Sequence, residues 1–145
     1  MKGLPIGFQK LKYYGWHKEY GFLILILVTL RLIWRLNNIN PSLPMSMPAW
    51  QRFAAHAVHY AFYFFLFTMP LSGWLISSAA GLPVSFFGLF VLPDLVAPNE
   101  NLRLLFQQIH FWLGWGLVIT IIGHTGAALQ HHFIHKDDIL KRMLP

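Results

Sequence analysis

Eight histidines and no cysteine set the chemistry open to this chain of 145 residues. Without cysteine there are no disulfides, no thiolate ligands, no iron–sulfur clusters and no covalent haem attachment through C-x-x-C-H, so imidazole is the one soft metal ligand left. Two of the histidines, His110 and His124, lie in "QQIHFWLGWGLVITIIGHTG" (107–126), an apolar run without a formal charge. Polar ionisable residues in such a run are costly and mark a functional site by default. Fourteen helical steps of 100° bring the second histidine back to within about 40° of the first, and the two are then about 21 Å apart along the axis. One imidazole falls near each membrane surface and both face the same way. Two iron porphyrins, one per leaflet, need this layout, with a second axial ligand for each iron from another helix.

His17 supplies a candidate for the first pair, because it opens an apolar segment that runs in the same direction as the one holding His110. Gly21 and Gly114, one turn beyond each histidine, leave room for a flat macrocycle. For His124 the candidates are His56 and His59, which are spaced i and i+3 and share a helix face. These two have other readings, as partners of haem propionates or of a quinone carbonyl. Zinc or copper suits the pattern less well, since neither His110 nor His124 has a second histidine at i+3 or i+4. His131, His132 and His135 fall where the last segment emerges and read as solvated or interfacial. Each histidine alone also has a plainer reading, a polar residue bonded to a carbonyl or to water.

The elements that must carry these residues are membrane helices. The chain is 56% hydrophobic and 11% charged, too apolar for an ordinary soluble domain. Three stretches, 20–36, 53–78 and 104–133, approach the about 20 apolar residues that cross a bilayer. The expected fold is all-α, one integral membrane helical bundle over residues 1–145 with no separate soluble module. "NNINPSLPMSMPAW" breaks the first stretch from the second. "VSFFGLFVLP" is too short to span and is expected at the interface or over the mouth of the bundle. Pro70 and Gly73 in "MPLSGW" are expected to kink the second segment beside the macrocycle.

Charge orients the bundle. Arg31, Arg35 and Arg52 flank the first loop, and Lys136, Lys141 and Arg142 follow the last segment, which puts both in the cytoplasm. Lys2, Lys10, Lys12 and Lys18 then fall outside, against the rule, which leaves two readings: a statistical rule outvoted by the other two signals, or a preceding helix absent from the chain. The start has no signal-peptide pattern. The net charge of +6 is accounted for by topology and calls for no nucleic acid.

The residues now in hand give a resemblance to a known family. "HKEYGFLILILVTLRLIWRL", "AHAVHYAFYFFLFTMPLSGW", "GLPVSFFGLFVLP" and above all "IHFWLGWGLVITIIGHTGAALQHHFIHKDDILKRMLP" resemble the bacterial cytochrome b561 family, related to the cytochrome b subunits of nickel hydrogenases and formate dehydrogenases. The resemblance covers nearly the whole chain. It implies a four-helix bundle, three helices of which are in this chain, holding two b haems with bis-histidine ligation. By motif, His17 and His110 would ligate the outer haem and His124 the inner one. The family's other inner ligand sits on a first helix that this sequence lacks, so one haem b is expected in this chain and two in the full family fold.

The implied function is electron transfer in a bacterial inner membrane, with the C-terminus cytoplasmic, between an outer donor and a membrane quinone such as ubiquinone. The resemblance leaves open whether the chain is an oxidoreductase in its own right, of the superoxide:quinone type. Two other readings stand beside this one: a membrane subunit of a hydrogenase or dehydrogenase complex, and a haem-free remnant. Expected partners are membrane lipid and quinone, with a redox partner subunit or a homo-oligomer left open.

Overall fold

The computed structural model describes residues 7–39 and 48–135. The proline-rich stretch at 40–47 and the tail cations Lys136, Lys141 and Arg142 lie outside the described residues. The chain order is α1 (Phe8–Asn37), α2 (Ala49–Ala79), β1 (Val84–Phe86), β2 (Phe90–Leu92) and α3 (Glu100–Gln130), followed by a π-helical turn at His131–His135.

At 30 or 31 residues, each helix is about 45 Å long, longer than the about 30 Å hydrocarbon core of a bilayer. The helices therefore outrun the apolar stretches read from sequence. α1 begins at Phe8 rather than near residue 20, because Gln9 to Glu19 holds good helix formers and no proline. Propensity carries the helix past the point where hydropathy ends. α2 and α3 are long and apolar enough to cross a membrane. α1 is apolar from Phe22 to Val28 and carries its charges towards both ends.

Local signals set the helix ends. Asn99 caps α3, its side-chain oxygen accepting the Leu102 N–H at 3.1 Å, and Glu100 sits in the first turn where the helix dipole favours an anion. Arg103 pairs with Glu100, one turn before it. α2 closes with Gly81 at φ +65. There the Leu82 N–H bonds the Ser77 carbonyl and the Gly81 N–H bonds the Ser78 carbonyl, both at 2.9 Å, the paired bonds that a left-handed glycine permits at a helix end.

The segment expected over the bundle mouth is an antiparallel hairpin, with Val84 opposite Leu92 and Phe86 opposite Phe90. Among the described residues it is the one departure from an all-α outline. Phe86 and Phe90 stack edge-on against Phe22 of α1 at 5.4 and 6.4 Å. Trp74 donates from Nε1 to the Pro93 carbonyl at 3.0 Å, and the Leu95 N–H donates to the buried Ser78 Oγ at 3.1 Å. These bonds tie the irregular segment after the hairpin to the end of α2.

α2 is the central helix, packed on α1 along one side and on α3 along the other. Phe22 meets Trp74, while Arg35 lies over Tyr63, so α1 and α2 are antiparallel. His110 meets Ser72, while His124 meets His59, so α2 and α3 are antiparallel as well. α1 and α3 consequently run the same way, as the sequence required for pairing His17 with His110. Close approach of α2 and α3 rests on small residues: a Cβ on Gly116 would stand 2.6 Å from the Phe65 ring, and one on Gly114 3.2 Å from Met69 Cε. This is how helices pack without water to drive them together. Gly114 thus stands against the Met69 side chain of α2. The buried apolar core is thin: Val28, Ala79, Val84, Leu92 and Ala128. Outward-facing Leu27, Leu30, Phe64, Trp112, Ile119 and Ile122 are all more than half exposed, a surface suited to lipid.

Candidate functional site

A cavity of about 520 Å³ opens between α1, α2, α3 and the hairpin, within the range of small-molecule and cofactor sites. His17 and His110 both line it. His17 comes from the first half of α1 and is exposed, and His110 comes from α3 and is half-buried. Their ring centroids are 5.9 Å apart and the planes are nearly perpendicular, at 82°. A metal–imidazole nitrogen bond of about 2 Å, with the nitrogen about 1 Å from the ring centre, puts two imidazoles on opposite sides of one metal about 6 Å apart.

The rest of the lining mixes apolar and polar residues. Phe22, Trp74, Val84 and Leu92 make the apolar wall. Lys18, Gln107 and Gln108 bring donors, and Lys18 carries a charge. Gly21, Pro70 and Gly73, singled out from sequence, all border the cavity. Gly21 has open space where a Cβ would be, while a Cβ on Gly73 would stand 3.3 Å from His110 Cε1. Gly73 therefore lets the His110 ring lie against the α2 backbone.

Ser72, which sequence reading passed over, is the second contact of that ring. Its Oγ lies 2.9 Å from His110 Nδ1 and 2.8 Å from the Met69 carbonyl oxygen. The signal was present: a serine inside an apolar helix, next to a glycine already marked as close to the site.

At the other end of the bundle, His59 of α2 and His124 of α3 are both half-buried, with ring centroids 5.9 Å apart at 59°. Phe62 stands edge-on to His124 at 5.1 Å. His56 is exposed, and of the two it is His59 whose ring meets His124. Arg35 lies over the Tyr63 ring at 5.4 Å, one turn of α2 from His59. His131 and His132 are half-buried, and His132 stacks on Phe133 at 4.8 Å.

Among the described residues, no three or more His, Asp or Glu side chains gather around one point. The donors come in pairs of imidazoles. A pair suits an iron whose other four ligands belong to a porphyrin, and it falls short of the four ligands a bare zinc ion takes. The pair His17 and His110, the adjoining cavity and the glycine against the ring fit a haem.

A lipid-facing helical bundle with paired imidazoles spaced for an iron porphyrin defines the class: a membrane cytochrome b. The chain belongs to the prokaryotic cytochrome b561 family, whose pattern matches residues 2–145. It is 40% identical over 152 residues to cytochrome b561 homolog 2 of Escherichia coli strain K12, covering 99% of this chain and 81% of that one. Against cytochrome b561 homolog 1 of the same organism it is 37% identical over 130 residues, covering 89% and 73%. Against the probable superoxide oxidase CybB of Yersinia pestis it is 29% identical over 144 residues, covering 96% and 81%. The family makes haem b its cofactor, electron transfer its work and the membrane its place.

Proposed function

We propose that His17 and His110 are the two axial ligands of one haem b, and that electrons pass through this site between a donor on the outer side and a membrane quinone. The observation that carries the reading is the pair of imidazoles facing each other at 5.9 Å beside a 520 Å³ cavity. When bound, haem b supplies a one-electron Fe(III)/Fe(II) couple. The chain supplies the rest. His17 and His110 would hold the iron between them, which suits electron transfer rather than oxygen binding. Phe22, Trp74, Val84 and Leu92 keep water from one side of the cavity, while Lys18, Gln107 and Gln108 offer donors to its polar edge.

His124 is the candidate ligand of a second haem, as the family resemblance implies, with the His59 ring 5.9 Å from it. His56 and His59 remain the candidates for a propionate or quinone carbonyl. The outer side is the end bearing His17 and His110. The arginines Arg31, Arg35 and Arg52, with the basic tail, put the other end and the C-terminus in the cytoplasm of a bacterial inner membrane. The name of the Yersinia relative suggests superoxide as a donor, and Lys18 in the cavity lining favours an anion.

The test is optical and magnetic. The purified protein is expected to show b-type bands in a reduced-minus-oxidised spectrum. His17→Ala and His110→Ala are each expected to remove a low-spin bis-histidine signal from the low-temperature EPR spectrum. Absence of the bands would favour the haem-free reading, and full haem retention in both variants would end the ligand assignment.

A further inference from the structure

Ser72 is 4% exposed, and its hydroxyl is held from two sides. A serine inside a helix ordinarily returns its hydrogen to a carbonyl one turn back. Thr29, Thr68 and Thr120 do only this, each to the carbonyl four residues earlier. Ser72 donates to the Met69 carbonyl at 2.8 Å and also meets His110 Nδ1 at 2.9 Å. A hydroxyl has one hydrogen and two lone pairs. With the hydrogen given to Met69, a lone pair is left to face Nδ1, so the network assigns the imidazole proton to Nδ1. Nε2 then keeps its lone pair for a metal. Among the described residues, His17, His59 and His124 make ring contacts but no hydrogen bond. Of the four paired imidazoles, His110 is the one whose tautomer is fixed by the protein.

We propose that Ser72 is a positioning residue: through the bond to Nδ1 it holds His110 in the tautomer and orientation that present Nε2 to the haem iron, and raises the electron donation of that ligand. This rests on the reading of His110 as an axial ligand. Outer partners of metal-bound histidines orient the ring and increase its basicity. A more basic imidazole stabilises Fe(III) over Fe(II), so Ser72 lowers the reduction potential of this haem relative to the same site without the hydroxyl. Gly73 completes the cradle. With no side chain there, the ring lies close enough for the bond to Ser72, whereas a Cβ would stand 3.3 Å from Cε1. The serine and the glycine are neighbours in sequence because one bond and one vacancy must meet the same ring.

The experiment compares Ser72→Thr, Ser72→Val and Ser72→Ala with the parent protein, by redox titration of the outer haem and low-temperature EPR. Threonine and valine have nearly the same shape and differ in the hydroxyl, so their comparison isolates the hydrogen bond from packing even if alanine fails to fold. Threonine is expected to keep the parent potential and g values. Valine and alanine are expected to move the Fe(III)/Fe(II) ratio at fixed ambient potential about tenfold towards Fe(II), which is about 59 mV for a one-electron couple. Identical potentials and g values for threonine and valine, with His110→Ala still losing the haem, would overturn the role of Ser72 alone. If His110→Ala kept every haem signal, the ligand reading would fall, and the Ser72 proposal with it.

Discussion

His59 and His124 face each other with ring centroids 5.9 Å apart, the same separation as His17 and His110. The two pairs differ in their surroundings. The outer pair lines a cavity and has Ser72 bonded to one ring, while Phe62 stands edge-on to His124 in the inner pair. Equal spacing with unequal surroundings predicts unequal haem binding. The protein is expected to hold about one haem b, at His17 and His110, by pyridine haemochrome assay against protein concentration. His59→Ala is expected to leave that haem in place. Two haems per chain, falling to one on either His59→Ala or His124→Ala, would instead make His59 the second ligand.

The glycine beside His110 gives a steric test. An added methyl at Gly73 would meet the ring at 3.3 Å, a contact the imidazole can relieve by moving a few tenths of an ångström. Gly73→Ala is expected to keep haem but shift the EPR g values of the outer site. Gly73→Leu, whose branches reach further into the same space, is expected to lose that haem. A haem-replete leucine variant with the parent spectrum would show that the ring does not need the vacancy.

Gly116 tests packing away from haem. A Cβ there would stand 2.6 Å from the Phe65 ring, so Gly116→Ala forces α2 and α3 apart or turns the ring. Overpacking of this kind costs about 1–3 kcal/mol. Thermal unfolding in detergent is expected to show a lower midpoint, and the double variant with Phe65→Leu is expected to recover part of it. An unchanged midpoint for the single variant would show the interface to be looser than its geometry.

Much of this arrangement is legible in the sequence, for identifiable reasons. The helical period brings His110 and His124 to one face without knowledge of any other element. The shared direction of the first and last segments follows from counting spans, and it brings His17 to His110. What periodicity cannot give is the facing of one helix towards another. His56 and His59 look equivalent at i and i+3, and only the rotation of α2 against α3 turns His59 inward. Ser72 carried a local signal beside Gly73, but its partner lies 38 residues away, so the contact itself was not legible. The hairpin escaped because its strands have three residues each, too few for an alternating pattern. The early start of α1 escaped because hydropathy marks the membrane, while helix propensity marks the helix.

Lys18 predicts how the donor is recognised. It is the charged side chain of the cavity lining, one residue from His17. An anionic one-electron donor would be attracted there and a neutral one would not. Lys18→Gln is expected to slow haem reduction by superoxide several-fold and to weaken its dependence on ionic strength, with reduction by a neutral quinol unchanged. Equal rates with superoxide at every salt concentration would remove Lys18 from the path of the donor.

Orientation in the membrane decides which haem site meets which partner. Arg31 and Arg35 lie at the end of α1 and Arg52 at the start of α2, so all three fall at the end of the bundle that holds His59 and His124. Arg35 also rests against Tyr63 of α2, which keeps its charge at that end. Cationic flanks are retained on the cytoplasmic side. The inner pair is therefore expected to face the cytoplasm, and the cavity between His17 and His110 the outer side. An alkaline phosphatase fusion at Pro145 is expected to be inactive and a green fluorescent protein fusion bright. A fusion within the hairpin loop at Gly88 is expected to give the opposite pair of results. Activity of phosphatase at Pro145 would invert the bundle. The outer donor would then have to reach His59 and His124, where Phe62 stands against the ring, and the cavity beside Lys18 would open to the cytoplasm.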